Sequence, residues 1–244
     1  MSAAPEDREA VLPESALLPA PDSGGDLTAS PSATTTPAEM RVADVAVSAR
    51  ALLGARLTTL RPDLDGEIAQ VTVRITEVEA YAGPDDPASH AFRGPNARNA
   101  AMFGPPWHAY VYRHMGLHTC FNIVVGDEGV ATGVLVRAGE VVEGAEVARA
   151  RRLVKGAVRR DADLASGPAR LTVALGITIA DAGTPLDGST GIRLVRGEPL
   201  PESAISSGPR VGVGSARDVP ARFWITGDPT VSVYKAAPLP KRRG

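Results

Sequence analysis

The chain has 244 residues, 43% hydrophobic and 22% charged, with a formal charge of −2 and a single cysteine. That length suits one large domain, that balance suits an ordinary globular protein, and one cysteine excludes a disulfide framework or a thiolate metal site, which points to a reducing, cytoplasmic setting. No apolar run reaches the roughly 18 residues of a membrane-spanning helix, and the N-terminus lacks the basic start and apolar core of a secretion signal, so no membrane partner is expected.

Residues 1–40 carry seven of the 28 acids and one of the 26 bases, which leaves 21 acids against 25 bases beyond them. This acidic arm is rich in Pro, Ala, Ser and Thr and has little to bury, so it is expected to be disordered, while the mildly basic remainder, residues 41–236, forms the domain and 237–244 a basic tail. Helical spacing of apolar residues from Val42 to Leu53, stopping at Gly54, predicts a helix. The segment GEIAQVTVRITEVEAY has β-branched residues in partial alternation, and AYVYRHM, TGVLVRAGEVV, GIRLVRG and RFWITGDPTVSVY read as further strands. EVARARRLVK and SGPARLTVALGI read as helices, the second opening with Ser166, Gly167 and Pro168 where caps and first-turn prolines belong. The expected fold is mixed α/β (α+β): a single domain with a curved, mainly antiparallel sheet and surrounding helices.

Chemistry concentrates between Ile75 and Asn122, where all four histidines, the one cysteine and three of the four tyrosines fall within about one fifth of the chain. If the strand ending at Tyr81 is regular, Val71, Val73, Ile75, Glu77, Glu79 and Tyr81 share one face, with same-face neighbours about 6.5 Å apart. A carboxylate so placed is a candidate general base; the bland alternative is a solvent-exposed strand end carrying two surface acids. Tyr110 and Tyr112 share a face of their own strand, and with Tyr81 and His90 they offer planar walls that suit a planar, even cationic, ligand such as a nucleobase. Taken singly, each tyrosine fits core packing as well. Cys120 and His108 are given no role.

Taken in order and spacing, EVEAY, His90, ARNAAMF, YVY, CFN, LVRA, SGPARL and RVGVG resemble the alkyladenine (3-methyladenine, or methylpurine) DNA glycosylase family, over roughly residues 43 to 235. The resemblance implies a monofunctional enzyme without metal or cofactor, a cytoplasmic, nucleoid-associated bacterial monomer. Its partner is double-stranded DNA containing damaged purines, of the 3-methyladenine, 7-methylguanine, hypoxanthine or ethenoadenine type. It further implies that Glu79 activates the attacking water, held also by Arg137 and the backbone carbonyl of Val211. Tyr81, His90 and Tyr112 wall the base pocket with Leu135 nearby, and Asn122 collides with the exocyclic amine of normal guanine. Glu77 is left with structural or electrostatic support.

Where the family commonly places an aromatic wedge, this sequence has Met115. Methionine can wedge between base steps, and a one-residue shift would bring His114 or His118 to the place. Arg93, Arg98 and Arg113 are candidate phosphate contacts. A second basic cluster, Arg149, Arg151, Arg152, Lys155, Arg159 and Arg160, reads as a solvated helix face, and Lys241, Arg242 and Arg243 as a solubilising tail. The competing functions are a glycoside hydrolase using Glu77 and Glu79, which adjacent acids on one strand serve poorly, and a non-catalytic damaged-DNA-binding protein of the same fold.

Overall fold

The computed structural model describes residues 37–238. Its elements are helix α1 (Pro37–Ala51), strands β1 (Arg56–Pro62), β2 (Ile68–Tyr81), β3 (Ala109–His114), β4 (His118–Val124) and β5 (Gly133–Glu143), helices α2 (Ala145–Leu153) and α3 (Pro168–Leu175), and strands β6 (Ile192–Val195), β7 (Ile205–Gly208) and β8 (Arg222–Ile225). Every strand pair is antiparallel, in the order β3-β4-β5-β2-β1-β6, with β8 joining β2 and carrying β7 on its other side. The curved antiparallel α+β sheet expected from the pattern is therefore present. No helix among the described residues is long and apolar enough to cross a membrane.

The long strand β2 organises the domain. One edge pairs with β5 along most of its length, while the other is shared, β1 taking Ile68–Arg74 and β8 taking Glu77–Glu79. Because β5 and β8 flank the same few residues, the C-terminal end of β2 is covered on both edges. Helix α3 lies on β4 and β5, and α2 packs on α3.

The regular face expected for β2 does not run through. Register shifts against β5 fall between Ile75 and Glu77 and again between Glu77 and Val78, and such an irregularity flips the side-chain alternation downstream of it. The core accordingly takes Val71, Val73 and Ile75 before the irregularity but Val78 and Ala80 after it. The apolar face thus continues into the core on even-numbered positions, and Glu77, Glu79 and Tyr81 are turned away from it. Nor is the strand end a solvent-exposed edge, since both glutamates are fully buried.

Other expectations shift at their boundaries. Helix α1 begins at Pro37, inside the segment read as an arm, and ends at Ala51; residues 1–36 and the Lys241, Arg242 and Arg243 tail lie outside the described residues. The stretch from Arg222 to Tyr234 is strand only over Arg222–Ile225. Ser166 is not a cap: it bridges to Ala138, and α3 starts on Gly167, whose φ of 108° no L-residue takes easily, with Pro168 in the first turn. The second basic cluster is only partly a solvated face. Arg151 and Arg152 are buried and donate to backbone carbonyls, Arg151 to Ala174, Arg61 and Pro62 and Arg152 to Leu164. They tie α2 to its neighbours and are removed from the surface charge available to a polyanion. Strands β1, β4 and β7 have too few residues or too mixed a pattern to be read from alternation alone.

Candidate active site

A cavity of about 440 Å³ opens where β2, β3, β4 and β5 meet the loop after Tyr81 and the segment from Val211 to Ser215. Its size falls within the roughly 300–1,000 Å³ of small-molecule pockets. Tyr81, His90, Tyr112, Asn122, Leu135, Arg137, Glu79 and Val211 all line it, so eight positions drawn from separate sequence segments converge.

Glu79 is held at both oxygens. Its Oε2 accepts from the Tyr81 hydroxyl at 2.9 Å, and its Oε1 accepts from the Val211 backbone N–H at 2.6 Å with the Arg137 guanidinium 3.3 Å away. The contact Val211 makes with Glu79 is thus through its N–H, where the sequence reading gives its carbonyl a role. Burial, with Glu79 next, pushes the Tyr81 hydroxyl well above its ordinary range, so it stays protonated and donates.

Glu77, two residues earlier, has a separate set of partners. Arg137 Nε reaches its Oε1 at 2.9 Å, Arg222 reaches the same oxygen at 3.0 Å, and the Ser232 N–H donates to Oε2 at 2.7 Å. Arg222 is in turn enclosed by aromatic rings, 4.2 Å from the Trp224 centroid and 5.1 Å from that of Tyr234. Glu77, unlike Glu79, does not line the cavity, so its carboxylate is out of reach of a ligand there. Arg137 bridges the two acids; burial works against its charge, but Glu79 and Glu77 more than restore it and hold it firmly protonated.

The opposite wall is aromatic. Tyr110 and Tyr112 stack at 5.5 Å with planes 26° apart, and His90 stands edge-on to Tyr112 at 4.4 Å. His90 Nδ1 shares a 2.9 Å hydrogen bond with the Tyr110 hydroxyl, which fixes the ring's orientation. Burial, then Arg98 and His114, lower the His90 pKa, so the ring is neutral near pH 7 and does not repel a cationic ligand. Burial pushes Tyr110 up to about 12 and Tyr112 further still. The Asn122 amide donates to the Tyr110 carbonyl at 3.0 Å, and pairing of Asn122 with Leu135 sets both side by side.

His90 reaches the cavity because its loop is pinned. Gly83, with φ 65°, lies so close to the Val130 and Ala131 carbonyls that a Cβ there would sit 2.7 Å and 2.9 Å from them. Asp86 then gathers the Ala82 and Ala88 N–H groups and the buried guanidinium of Arg210. Sequence reasoning passed over Asp86, Arg210 and Arg222, and named Tyr110 as a planar wall from its strand alternation alone. Arg210 opens RVGVG and directly precedes Val211, so it had a signal in the motifs already chosen; Asp86 and Arg222 had none.

Outside the cavity, Met115 sits at the tip of the β3–β4 hairpin, 81% exposed, with Leu117 80% exposed beside it. Leu117 was not foreseen as a partner in that position. Arg93, Arg98 and Arg113 are all exposed, Arg113 near the tip of the hairpin and Arg98 near enough to influence His90. Cys120, though set aside, does line the cavity, buried against Tyr112; His108 instead bonds the Pro106 carbonyl and bridges Pro185. Among the described residues no group of His, Cys, Asp and Glu is arranged to hold a metal ion.

Comparison with known proteins bears on this geometry. A family model described as methylpurine-DNA glycosylase (MPG) matches residues 39–229. A protein of Streptomyces avermitilis named "Putative 3-methyladenine DNA glycosylase" is 50% identical over 195 residues, covering 79% of this chain and 87% of that one. Proteins of the same name from Nocardia farcinica (48% over 206 residues, 82% and 92%) and Mycolicibacterium fortuitum (46% over 198 residues, 79% and 94%) are similar to a comparable extent.

Proposed function

The chain belongs to the methylpurine-DNA glycosylase family, and we propose that it takes a damaged purine out of duplex DNA into the cavity and hydrolyses its N-glycosidic bond with a water activated by Glu79. The observation that carries the reading is the convergence of a doubly anchored carboxylate, a neighbouring guanidinium and a stacked aromatic wall on one cavity. An atom inside a duplex is out of reach of such a cavity, so the nucleotide must be extruded, at a cost of a few kcal/mol that is lowest for mispaired or damaged bases.

In the proposed reaction the purine lies against Tyr81, His90 and Tyr112. A water between Glu79, Arg137 and the Val211 carbonyl attacks C1′, Glu79 accepts the water's proton, and the bond from C1′ to the purine nitrogen breaks with its electron pair leaving on the base. Purines methylated at N3 or N7 carry positive charge and leave readily, and the electron-rich ring faces favour them. Neutral lesions such as hypoxanthine or ethenoadenine leave as the protonated base, the proton coming from solvent while Glu79 keeps the one it takes from the attacking water. No lysine lines the cavity, which suits a monofunctional reaction that releases the purine and leaves the abasic strand uncut. Asn122, fixed through its amide to the Tyr110 carbonyl, stands where it collides with the exocyclic amine of guanine. Met115, with Leu117, fills the space the base has left, and Arg93, Arg98 and Arg113 contact phosphates. The protein acts as a monomer.

The direct test incubates the protein with duplexes carrying a single methylated adenine or hypoxanthine and then treats them with alkali. Strand breaks at the lesion are expected, and they disappear in Glu79→Gln while binding to the lesion duplex persists. Intact strands from protein that binds the lesion would replace the enzyme with a non-catalytic damage-binding protein of the same fold.

A further inference from the structure

Arg210 lies outside the cavity lining and is 2% exposed, yet three of the cavity's walls meet on it. Its Nη1 donates to the Ala80 carbonyl at 2.9 Å and to Asp86, and its Nη2 donates to the other Asp86 oxygen at 2.9 Å. Through Asp86 it ties down the turn that carries His90. Its guanidinium carbon lies 4.6 Å from the centre of the Tyr81 ring, a cation–π distance, and fixes that ring from the buried side. The next residue in the chain, Val211, supplies the N–H held by Glu79 Oε1, while Tyr81 supplies the hydroxyl held by Glu79 Oε2. Both oxygens of the carboxylate are therefore aimed by groups whose own positions depend on Arg210.

We infer that Arg210, locked by Asp86, is a positioning residue that sets the aim of the Glu79 carboxylate without touching substrate, an inference that rests on water activation by Glu79. Burial alone would weaken its charge, but Asp86, then Tyr81 and Glu79, overcome that, so the guanidinium stays charged. A bidentate fork is needed here, because one arm must serve both Asp86 and the Ala80 carbonyl while the other serves Asp86 alone; lysine, a point donor, can hold one of these contacts firmly but not the plane. The prediction is a split between chemistry and binding. A misplacement on the scale of 1 Å at a reacting group costs on the order of 10²-fold in rate, whereas binding keeps Tyr112, held by the β3–β4 ladder, and the contacts outside the cavity, none of which hangs on Arg210.

The test uses the full chain and a duplex bearing one hypoxanthine, and measures single-turnover excision, Kd for the same duplex and Tm in Arg210→Gln, Asp86→Asn, the double variant and Arg210→Lys. Arg210→Gln should lose excision by on the order of 10²-fold, with a much smaller change in Kd. In the double variant neither charge is left buried alone, so Tm recovers while excision stays slow; Arg210→Lys regains part of the rate. If Arg210→Gln fails to fold, the double and lysine variants carry the same comparison. Excision that recovers together with Tm, or that falls no further than Kd rises, would overturn the positioning role. A wild-type protein that neither binds nor excises overturns the functional reading along with this one, while wild-type excision matched by every Arg210 variant overturns this one alone.

Discussion

At the carboxylate wall, Glu77 and Glu79 are fully buried and each is held by three donors; at the tip of the β3–β4 hairpin, Met115 and Leu117 stand almost entirely in solvent. The wall is complete before any ligand arrives. Three buried acids, Glu77, Glu79 and Asp86, face three buried arginines, Arg137, Arg222 and Arg210, and the Glu79 carboxylate cannot swing. The tip is the reverse, two apolar side chains that no described residue buries. Preorganisation belongs where charge develops during reaction, because dipoles that need not reorient cost nothing at that moment. An unburied apolar tip belongs where the free energy of contact must appear only on binding.

Substitutions separate the two regions in order of expected effect. Glu79→Gln should lower excision between about 10²- and 10⁴-fold, the span of general-base catalysis, in single-turnover assays, with lesion binding retained; a loss of binding equal to the loss of rate would make Glu79 a contact and not a base. Glu77→Gln should act on the fold, costing about 3–5 kcal/mol in urea unfolding because Arg137 and Arg222 are left partly uncompensated. A stable Glu77→Gln protein that has lost its rate would move the chemistry to Glu77. Met115→Ala should weaken lesion-duplex binding and excision about 10-fold, from the apolar area it no longer buries, while single-stranded substrate and Tm are unaffected; an unchanged duplex rate would remove Met115 from the wedge. For Arg113→Ala, the slope of log affinity against log salt should fall by about 0.9, the value of one phosphate contact. A comparable change in slope for Arg152→Ala, whose guanidinium is buried on the Leu164 carbonyl, would contradict its structural role.

The smallest effect concerns His90. Its folded pKa lies below that of an unfolded histidine, about 6.5, so on acidification the unfolded chain takes up this proton first. The wild type should therefore lose stability as pH falls through 6.5 towards the lower folded value, and lose no more from this group beneath it. His90→Gln should show a shallower decline over that window, by urea unfolding at a series of pH values; parallel curves would mean that the ring titrates alike in both states.

The two regions were legible to different degrees. EVEAY, YVY, LVRA and CFN placed Glu79, Tyr112, Arg137 and Asn122 through the family resemblance, and all four line one cavity. Met115 was legible only through the family resemblance, since the pattern kept it inside the AYVYRHM strand, which in fact ends at His114. What stayed hidden depended on pairing across long stretches of chain. The irregularity at Glu77 reverses which residues of β2 enter the core, and it exists because β5 and β8 both grip that point. Arg151 and Arg152 look like a solvated charge run until α3 and the β1 end supply carbonyls for them. Asp86 and Arg210 are 124 residues apart and meet only in the folded protein, so neither residue's own surroundings in sequence announce the pair.

The turn at the hairpin tip carries a further consequence. The Leu117 N–H closes it on the His114 carbonyl at 3.1 Å, and its two central residues, Met115 and Gly116, have φ of 51° and 72°. Asn-Gly is the sequence that such a turn favours, and a non-glycine residue held in the left-handed region costs about 1–3 kcal/mol. Met115→Asn should therefore raise Tm and at the same time blunt the tip. A library selected for heat resistance alone would drift towards that change and yield sturdier proteins that search duplex DNA less well, so thermal screens of this protein should be run with lesion-bearing duplex as a second criterion.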